Sequence, residues 1–255
     1  MKLAICGKGG SGKSTVVVLM AHALRERGWR VLVIDADESN PGLYRLLGME
    51  KRPRPLLDLV GGKRKVFEAF AQESNSPNSV LTQAQIATAD LPSEFVARRG
   101  GISLVCVGKI LQSLEGCACP MGALSREFLA RLRLQDDEVA LVDTEAGIEH
   151  FGRGVETGVD TVVAVTEPSF DSIELTVKIS ALAAEMGLDG NYAVLNKVAS
   201  QELGSRLEEE LRKRGVNVVG SIDNDAEVFQ AALEGRPVRL ERVSSDIGAI
   251  VDKLV

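Results

Sequence analysis

A chain of 255 residues with an apolar fraction of 45% has material for one large core or two small ones. A net charge of -6 counts against a general nucleic-acid coat, which wants a basic face. Aromatic residues make up only 4%, so Val, Leu, Ile and Ala must fill the interior, a palette suited to buried parallel strands.

The N-terminal MKLAICGKGG reads as a strand running into a Gly-rich turn, with no cleavable apolar region. No run reaches the roughly 18 apolar residues of a transmembrane helix. The cytoplasm is therefore the expected compartment. Four cysteines in a reducing compartment are packing residues, catalysts or metal ligands rather than disulfides.

Strand and helix then alternate along the chain. KLAICG (2–7) is a short apolar strand, and a helical pattern covers 13–27 with Gly28 as its stop. RVLVIDAD (30–37), GISLVCVG (101–108), EVALVDTEAG (138–147), TVVAVTEP (161–168), YAVLNK (192–197) and VNVVGSI (216–222) are further strands. Helical stretches fall at 122–133, 170–186, 201–214 and 224–234, and a last one at 245–254. Buried strands joined by helices imply right-handed crossovers and a parallel sheet. The expectation is an α/β fold, one domain over residues 1–255 with a mostly parallel central sheet of about seven strands flanked by helices. The stretch 51–100 breaks the pattern with KRPRP, GGKRK, ESNSPNS and ARRGG, and reads as a surface insertion, part helix and part loop.

Gly7-Lys8-Gly9-Gly10-Ser11-Gly12-Lys13-Ser14 fits G-x-x-x-x-G-K-[ST] in full, after a strand and before a helix. This predicts a P-loop NTPase. The glycines let backbone N–H groups turn inward onto phosphate oxygens, and the helix beginning near Lys13 adds its positive end. Nucleotide binding is expected from Gly9, Gly10, Ser11, Gly12, Lys13, Ser14 and Thr15. Lys13 should reach the β- and γ-phosphates, the Ser14 hydroxyl should bind Mg²⁺, and Thr15 should meet the α-phosphate.

Mg²⁺ takes oxygen ligands, so a carboxylate is expected at a neighbouring strand end. Asp143, after VALV, is in place for it. Asp35 and Asp37 end another strand on the same crevice, and Asp37 is the candidate for orienting the attacking water. The competing reading is that these aspartates cap the following helices. Asn196-Lys197 ends a strand where a guanine-reading N-K-x-D would lie, yet position 199 is Ala. The missing carboxylate favours ATP over GTP, with Asn196 available to the adenine.

Position 8 is a second lysine, and Lys-Gly-Gly-Ser-Gly-Lys-Ser resembles the deviant Walker-A ATPases, which include the nitrogenase iron protein and the MinD, ParA and Mrp families. The likeness extends over Asp37, Asp-Thr-Glu-Ala-Gly at 143–147, Thr-Glu-Pro-Ser at 166–169, the Asn-Lys strand end and Ala-Leu-Glu-Gly-Arg-Pro-Val at 232–238. The resemblance implies that Lys8 crosses into a partner subunit and touches its nucleotide, a catalytic cation supplied in trans, with Lys13 and Asp37 completing the machinery. One departure is Ser221-Ile222-Asp223, where the family commonly carries a proline beside the adenine.

Residues 115–122 read EGCACPMG. Residues i and i+2 of an extended segment point the same way, and Pro120 biases Cys119 toward extension, so Cys117 and Cys119 can face one target. A disulfide between them would close a very small strained ring. Metal binding suits them better, but a structural zinc site wants four ligands. A two-fold dimer brings any patch on its axis against itself, making Cys₄ from two pairs. Tetrahedral thiolates suit Zn²⁺ and a square-planar set suits Ni²⁺. Cys6 and Cys106 lie in apolar strands and read as buried small hydrophobes.

The deviant loop, Cys-Ala-Cys before a helix, and Ala-Gly-Ile-Glu-His at 146–150 together resemble the CooC-type ATPases that mature nickel carbon monoxide dehydrogenase, with a sister group serving acetyl-CoA synthase. That resemblance implies a homodimer holding one metal ion, Ni²⁺ or Zn²⁺, through Cys117 and Cys119 at its interface, with ATP and Mg²⁺ and a client nickel enzyme, and neither nucleic acid nor membrane. His150 could assist with metal, though a lone histidine more often packs or caps. Two other classes stay open. A positioning ATPase of the MinD or ParA kind would need a basic terminal helix or patch, and SSDIGAIVDKLV has one lysine against two aspartates. An iron–sulfur carrier like the nitrogenase iron protein would want a cysteine within 144–160, where there is none.

Overall fold

The computed structural model describes residues 1–71, 81–108, 119–188, 190–238 and 244–255. The strands among them are Lys2–Gly7 (β1), Arg30–Asp35 (β2), Ala97–Arg99 (β3), Ile102–Cys106 (β4), Glu138–Asp143 (β5), Thr161–Thr166 (β6), Gly190–Val198 (β7) and Asn217–Asp223 (β8). They form one sheet in the order β3-β4-β2-β5-β1-β6-β7-β8. Every pairing is parallel except β3 with β4.

The sheet has eight strands where about seven were expected. The extra one is β3, inside the stretch read as an insertion. Arg99 pairs with Ile102, so Gly100 and Gly101 make a two-residue hairpin loop, both at positive φ (52° and 84°). That backbone is open to glycine and matches the twist of the flanking strands. The rest of 51–100 holds Leu56–Leu59 (α3), Lys63–Ala71 (α4) and single turns at Thr88–Asp90 and Ser93–Phe95. It also sends Leu56, Val66, Ile86 and Phe95 into the core.

The helices elsewhere are Lys13–Glu26 (α1), Leu43–Leu46 (α2), Cys119–Arg131 (α5), Glu149–Gly152 (α6), Phe170–Glu185 (α7), Gln201–Lys213 (α8), Ala226–Glu234 (α9) and Ser244–Leu254 (α10). The long ones match the periodicity of the sequence to within three residues at each end. α1 stops where expected, with Gly28 at φ 90°.

Side chains of β1 alternate between two cores. Leu3 and Ile5 pack with Val17, Met20 and Leu24 of α1 and Ile247, Ile250 and Val251 of α10. Ala4 and Cys6 pack with Leu124 and Phe128 of α5 and Ile179 and Ala183 of α7. Each fully buried Leu or Ile contributes about 1.5–3 kcal/mol by leaving water. Both faces of the sheet are therefore covered, as the continuous apolar runs require.

Strand register sets the site. Ile5 of β1 lies beside Asp143 of β5, and Asp143 beside Asp35 of β2. The loop after β1 and the acidic ends of β5 and β2 thus open on one edge, at the carboxyl ends of three adjacent strands. Among the described residues no helix is long and apolar enough to cross a membrane.

Candidate functional site

The loop from Gly7 to Ser14 turns on Gly7 and Gly12, both in backbone that favours glycine and both closely approached by neighbours. Gly7 has φ 142°, and a Cβ there would stand 2.5 Å from the Val165 carbonyl oxygen. Gly12 has φ 95°, and its Cβ would stand 2.3 Å from Asn196 Nδ2. The Ser11 N–H closes the turn on the Lys8 carbonyl at 3.1 Å, and the Gly147 N–H reaches the Gly7 carbonyl at 3.2 Å. Gly12 precedes α1 with no side-chain cap, so the helix presents its N–H groups to the loop. Lys13 is buried, and its ammonium reaches the Lys8 carbonyl at 3.4 Å.

Ser14 and Asp143, expected together from sequence, are in contact. Ser14 Oγ donates to Asp143 Oδ2 at 2.6 Å and accepts from Asn40 Nδ2 at 2.8 Å. Asp143 is fully buried, and its carboxyl is pushed up to about 7. Burial is the main cause and the Asp35 carboxylate the second, while the Ser14 hydrogen bond opposes them. Asp143 Oδ1 has no hydrogen-bond partner among the described residues. A buried orphan carboxylate oxygen beside a serine hydroxyl is a donor set that fits Mg²⁺.

Asp37 is buried, and its Oδ1 accepts from both the Ser39 N–H (2.8 Å) and the Ser39 hydroxyl (2.6 Å). It therefore shapes the turn after β2, and its charge also reaches Asp143. Asp35 faces Cys106, whose thiol lies 3.6 Å from Asp35 Oδ2.

Lys8 lies along its own chain, 3.5 Å from Asp171 Oδ2 and 3.8 Å from Glu167 Oε1. Glu167 also holds Lys197 at 3.0 Å, and Lys197 reaches the Gly10 carbonyl. Asn196 donates its amide to the Ser11 carbonyl at 2.8 Å, so it supports the loop directly. It also lines a cavity of about 640 Å³ together with Thr15, Ile222, Asp223, Val228 and Phe229. Of the residues expected to bind nucleotide, Gly10, Gly12 and Thr15 also stand on the wall of this cavity. Just past Ser221-Ile222-Asp223, Asp225 caps α9, accepting from the Glu227 and Val228 N–H groups at 2.7 and 3.0 Å.

Behind the loop, His150 is buried and paired with Glu156 through Nδ1. Its Nε2 lies 3.1 Å from the Gly147 carbonyl and 3.4 Å from Thr144 Oγ1. The ligand atoms of Cys6, His150 and Glu156 lie within 4.8 Å of one another. Burial, reinforced by the Glu156 charge, pushes the Cys6 thiol strongly up, so it stays protonated and behaves as a small apolar residue. Cys117 lies outside the described residues. Cys119 opens α5, and its side chain lies outside them too.

Sequence reasoning missed three groups at the phosphate end: Asn40, Glu38 and Arg153. Asn40 had a signal, since Asn40-Pro41 marks a turn directly after the acidic strand end. Glu38 and Arg153 had none, because their pairing depends on the β2–β5 register. Arg153 forms an ion pair with Glu145 and lies 3.8 Å from Glu38 Oε1.

A sequence model of the CobQ/CobB/MinD/ParA nucleotide binding domain matches residues 3–238. An ATP-binding protein of Methanocaldococcus jannaschii is 40% identical over 254 residues, 100% of this chain and 99% of that protein. The carbon monoxide dehydrogenase accessory protein CooC of Rhodospirillum rubrum is 35% identical over 240 residues, 92% of this chain and 88% of its own length. Among solved structures, the septum site-determining protein MinD of Pyrococcus horikoshii, complexed with Mg-ADP, superposes with a TM-score of 0.72 at 17% identity, covering 99% of this chain and 95% of that one.

Proposed function

Because this chain belongs to the CobQ/CobB/MinD/ParA nucleotide-binding family and is a P-loop ATPase, we propose that it is an ATP-driven maturation factor for a nickel enzyme, carrying Ni²⁺ or Zn²⁺ as cargo between Cys117 and Cys119 of two copies. The observation that supports this most is the 35% identity over 92% of the chain to a carbon monoxide dehydrogenase accessory protein, joined to Cys-Ala-Cys at sequence positions 117–119.

In this reading the loop N–H groups and the α1 terminus take the ATP phosphates, and the buried Lys13 ammonium turns to the β- and γ-oxygens. Ser14 and Asp143 hold Mg²⁺, which when bound neutralises phosphate charge. Asp37 orients the attacking water toward the γ-phosphorus. Asn196 and the wall formed by Thr15, Ile222 and Val228 hold the adenine end. Lys8 leaves Glu167 and Asp171 to meet charge on the partner's phosphoryl group. Family members of the MinD and ParA kind commonly dimerise, and closure of two copies brings the thiolate pairs together. The client, of the carbon monoxide dehydrogenase or acetyl-CoA synthase kind, performs the redox chemistry. Work in the cytoplasm, as one domain, follows from the same reading.

A MinD-like positioning role finds less support. The apolar residues Ile247, Ile250 and Val251 of α10 are buried against α1 and β8. Among the described residues of that helix, the large apolar side chains are turned inward and not toward a lipid surface.

Anaerobic purification with metal analysis tests the proposal. The expected result is a colourless protein with about one Ni²⁺ or Zn²⁺ per dimer, lost in the Cys117→Ala, Cys119→Ala variant. Brown protein absorbing near ~400 nm would favour an iron–sulfur carrier. Metal-free protein that binds liposomes or DNA with ATP would favour a positioning ATPase. Either of these results would overturn the proposal.

A further inference from the structure

We infer that Arg153 is a positioning residue whose side chain ties both acidic segments of the phosphate end to the first turns of α5, so that nucleotide state is transmitted to that helix. The inference deepens the proposed function and rests on it only for what α5 carries.

Arg153 follows α6 directly, as its C-terminal cap. Its guanidinium pairs with Glu145 and approaches Glu38 at 3.8 Å. Glu145 stands two residues after Asp143, and Glu38 stands next to Asp37. One planar cation therefore joins the segment after β5 to the segment after β2. Burial pushes both carboxyls up, Glu38 to about 6, and the nearby Arg153 charge opposes this in each case.

The stem of the same side chain lies on α5. A Cβ at Gly122 would stand 2.6 Å from Arg153 Cδ and 3.2 Å from its Cβ. One turn on, Arg126 Nη1 donates to the Arg153 carbonyl at 3.4 Å. Gly122 and Arg126 are i and i+4, one face of the helix, and α5 begins only three residues before Gly122, at Cys119. A carboxylate that shifts when nucleotide arrives must carry the guanidinium along or be left buried without its cation, which is the costlier outcome. Moving the guanidinium moves the stem against Gly122. Lysine could not reproduce this, having a point charge in place of the planar fork.

Linkage makes the effect reciprocal: whatever nucleotide does to α5, a ligand on α5 does to nucleotide. The test uses the full chain with and without a non-hydrolysable ATP analogue and reads two quantities. One is hydrogen exchange over residues 119–131. The other is the ratio of Ni²⁺ or Zn²⁺ dissociation constants, expected at about 5–150 in the wild type. Arg153→Met keeps the stem and removes the fork. It should abolish the nucleotide-dependent change in exchange and bring the metal ratio to within about two-fold of unity, as an uncoupled pair requires. Gly122→Ala leaves every charge in place and displaces the stem, and should do the same if Arg153→Met fails to fold. Persistence of wild-type exchange changes in the folded variants overturns the inference, as does a wild-type α5 that ignores nucleotide. A wild type that binds no metal but shows nucleotide-dependent exchange, lost in Arg153→Met, sinks the maturation proposal and sustains this one.

Discussion

Replacing Asp171 by Asn tests the geometry around Lys8. A lysine that acts across a two-fold seam must first give up its pairs with Asp171 (3.5 Å) and Glu167 (3.8 Å). Asp171 is the cleaner target, because Glu167 also holds Lys197 at 3.0 Å and so steadies the loop at Gly10. The helix start survives the change, since Ser169 still caps α7 by accepting from the Ser172 N–H. An exposed pair of this type contributes about 0.2–1 kcal/mol. In the proposed closed dimer two chains release two lysines, so the variant dimer should gain about 0.4–2 kcal/mol, or roughly 2- to 30-fold in dissociation constant. Sedimentation equilibrium with a non-hydrolysable ATP analogue would measure it. At ~0.1 M salt the difference should be clear, and at ~1 M it should shrink as the pairs are screened. A dimer no tighter than wild type would refute the reasoning. So would a gain that persists in a Lys8→Ala background, where the cycle should show coupling between the two positions.

Gly12→Ala should destabilise the fold by about 2–5 kcal/mol in urea titration, combining ~1–2 for a left-handed non-glycine residue with ~1–3 for the displaced Asn196 hydrogen bond. A change under about 0.5 kcal/mol would mean the loop relaxes freely, contrary to the packing seen at Asn196. Glu38 has its carboxyl raised from 4.5 to about 6, so the stability it adds is full below pH 4.5 and is lost as pH rises through about 6. Wild type should therefore lose about 2 kcal/mol more than Glu38→Gln across that window; parallel pH profiles would contradict the assigned burial.

The phosphate loop was legible because it is local: glycines, lysine and serine at fixed spacing between a strand and a helix name their own geometry. Ser14 meeting Asp143 was legible for a related reason, since parallel strands align their acidic ends on one edge. What escaped was non-local or too short. β3 has three residues, fewer than alternation needs to declare itself, although Gly100-Gly101 between two runs was its available signal. Arg153 carries no periodicity at all, and its partners, Glu38 and Glu145, become neighbours only through the β2–β5 register. Lys8 was read as a cation for a partner, and nothing in its sequence neighbourhood indicated that the free chain would hold it on Asp171, 163 positions away by the numbering.

Helix α1 has Val16 to Ala21 and Leu24 sealed between the sheet and α10. Interiors packed like that resist compression and do not slide by fractions of a turn. The cradle at its tip is thus an anvil, bolted to the stiffest part of the molecule. Any stroke the enzyme makes must be delivered by the acidic jaws after β2 and β5, whose hinges are ion pairs and turns. Random substitution should accordingly sort by place: changes under the anvil will be read out as lost protein, and changes in the jaws as protein that is made in full but no longer keeps time.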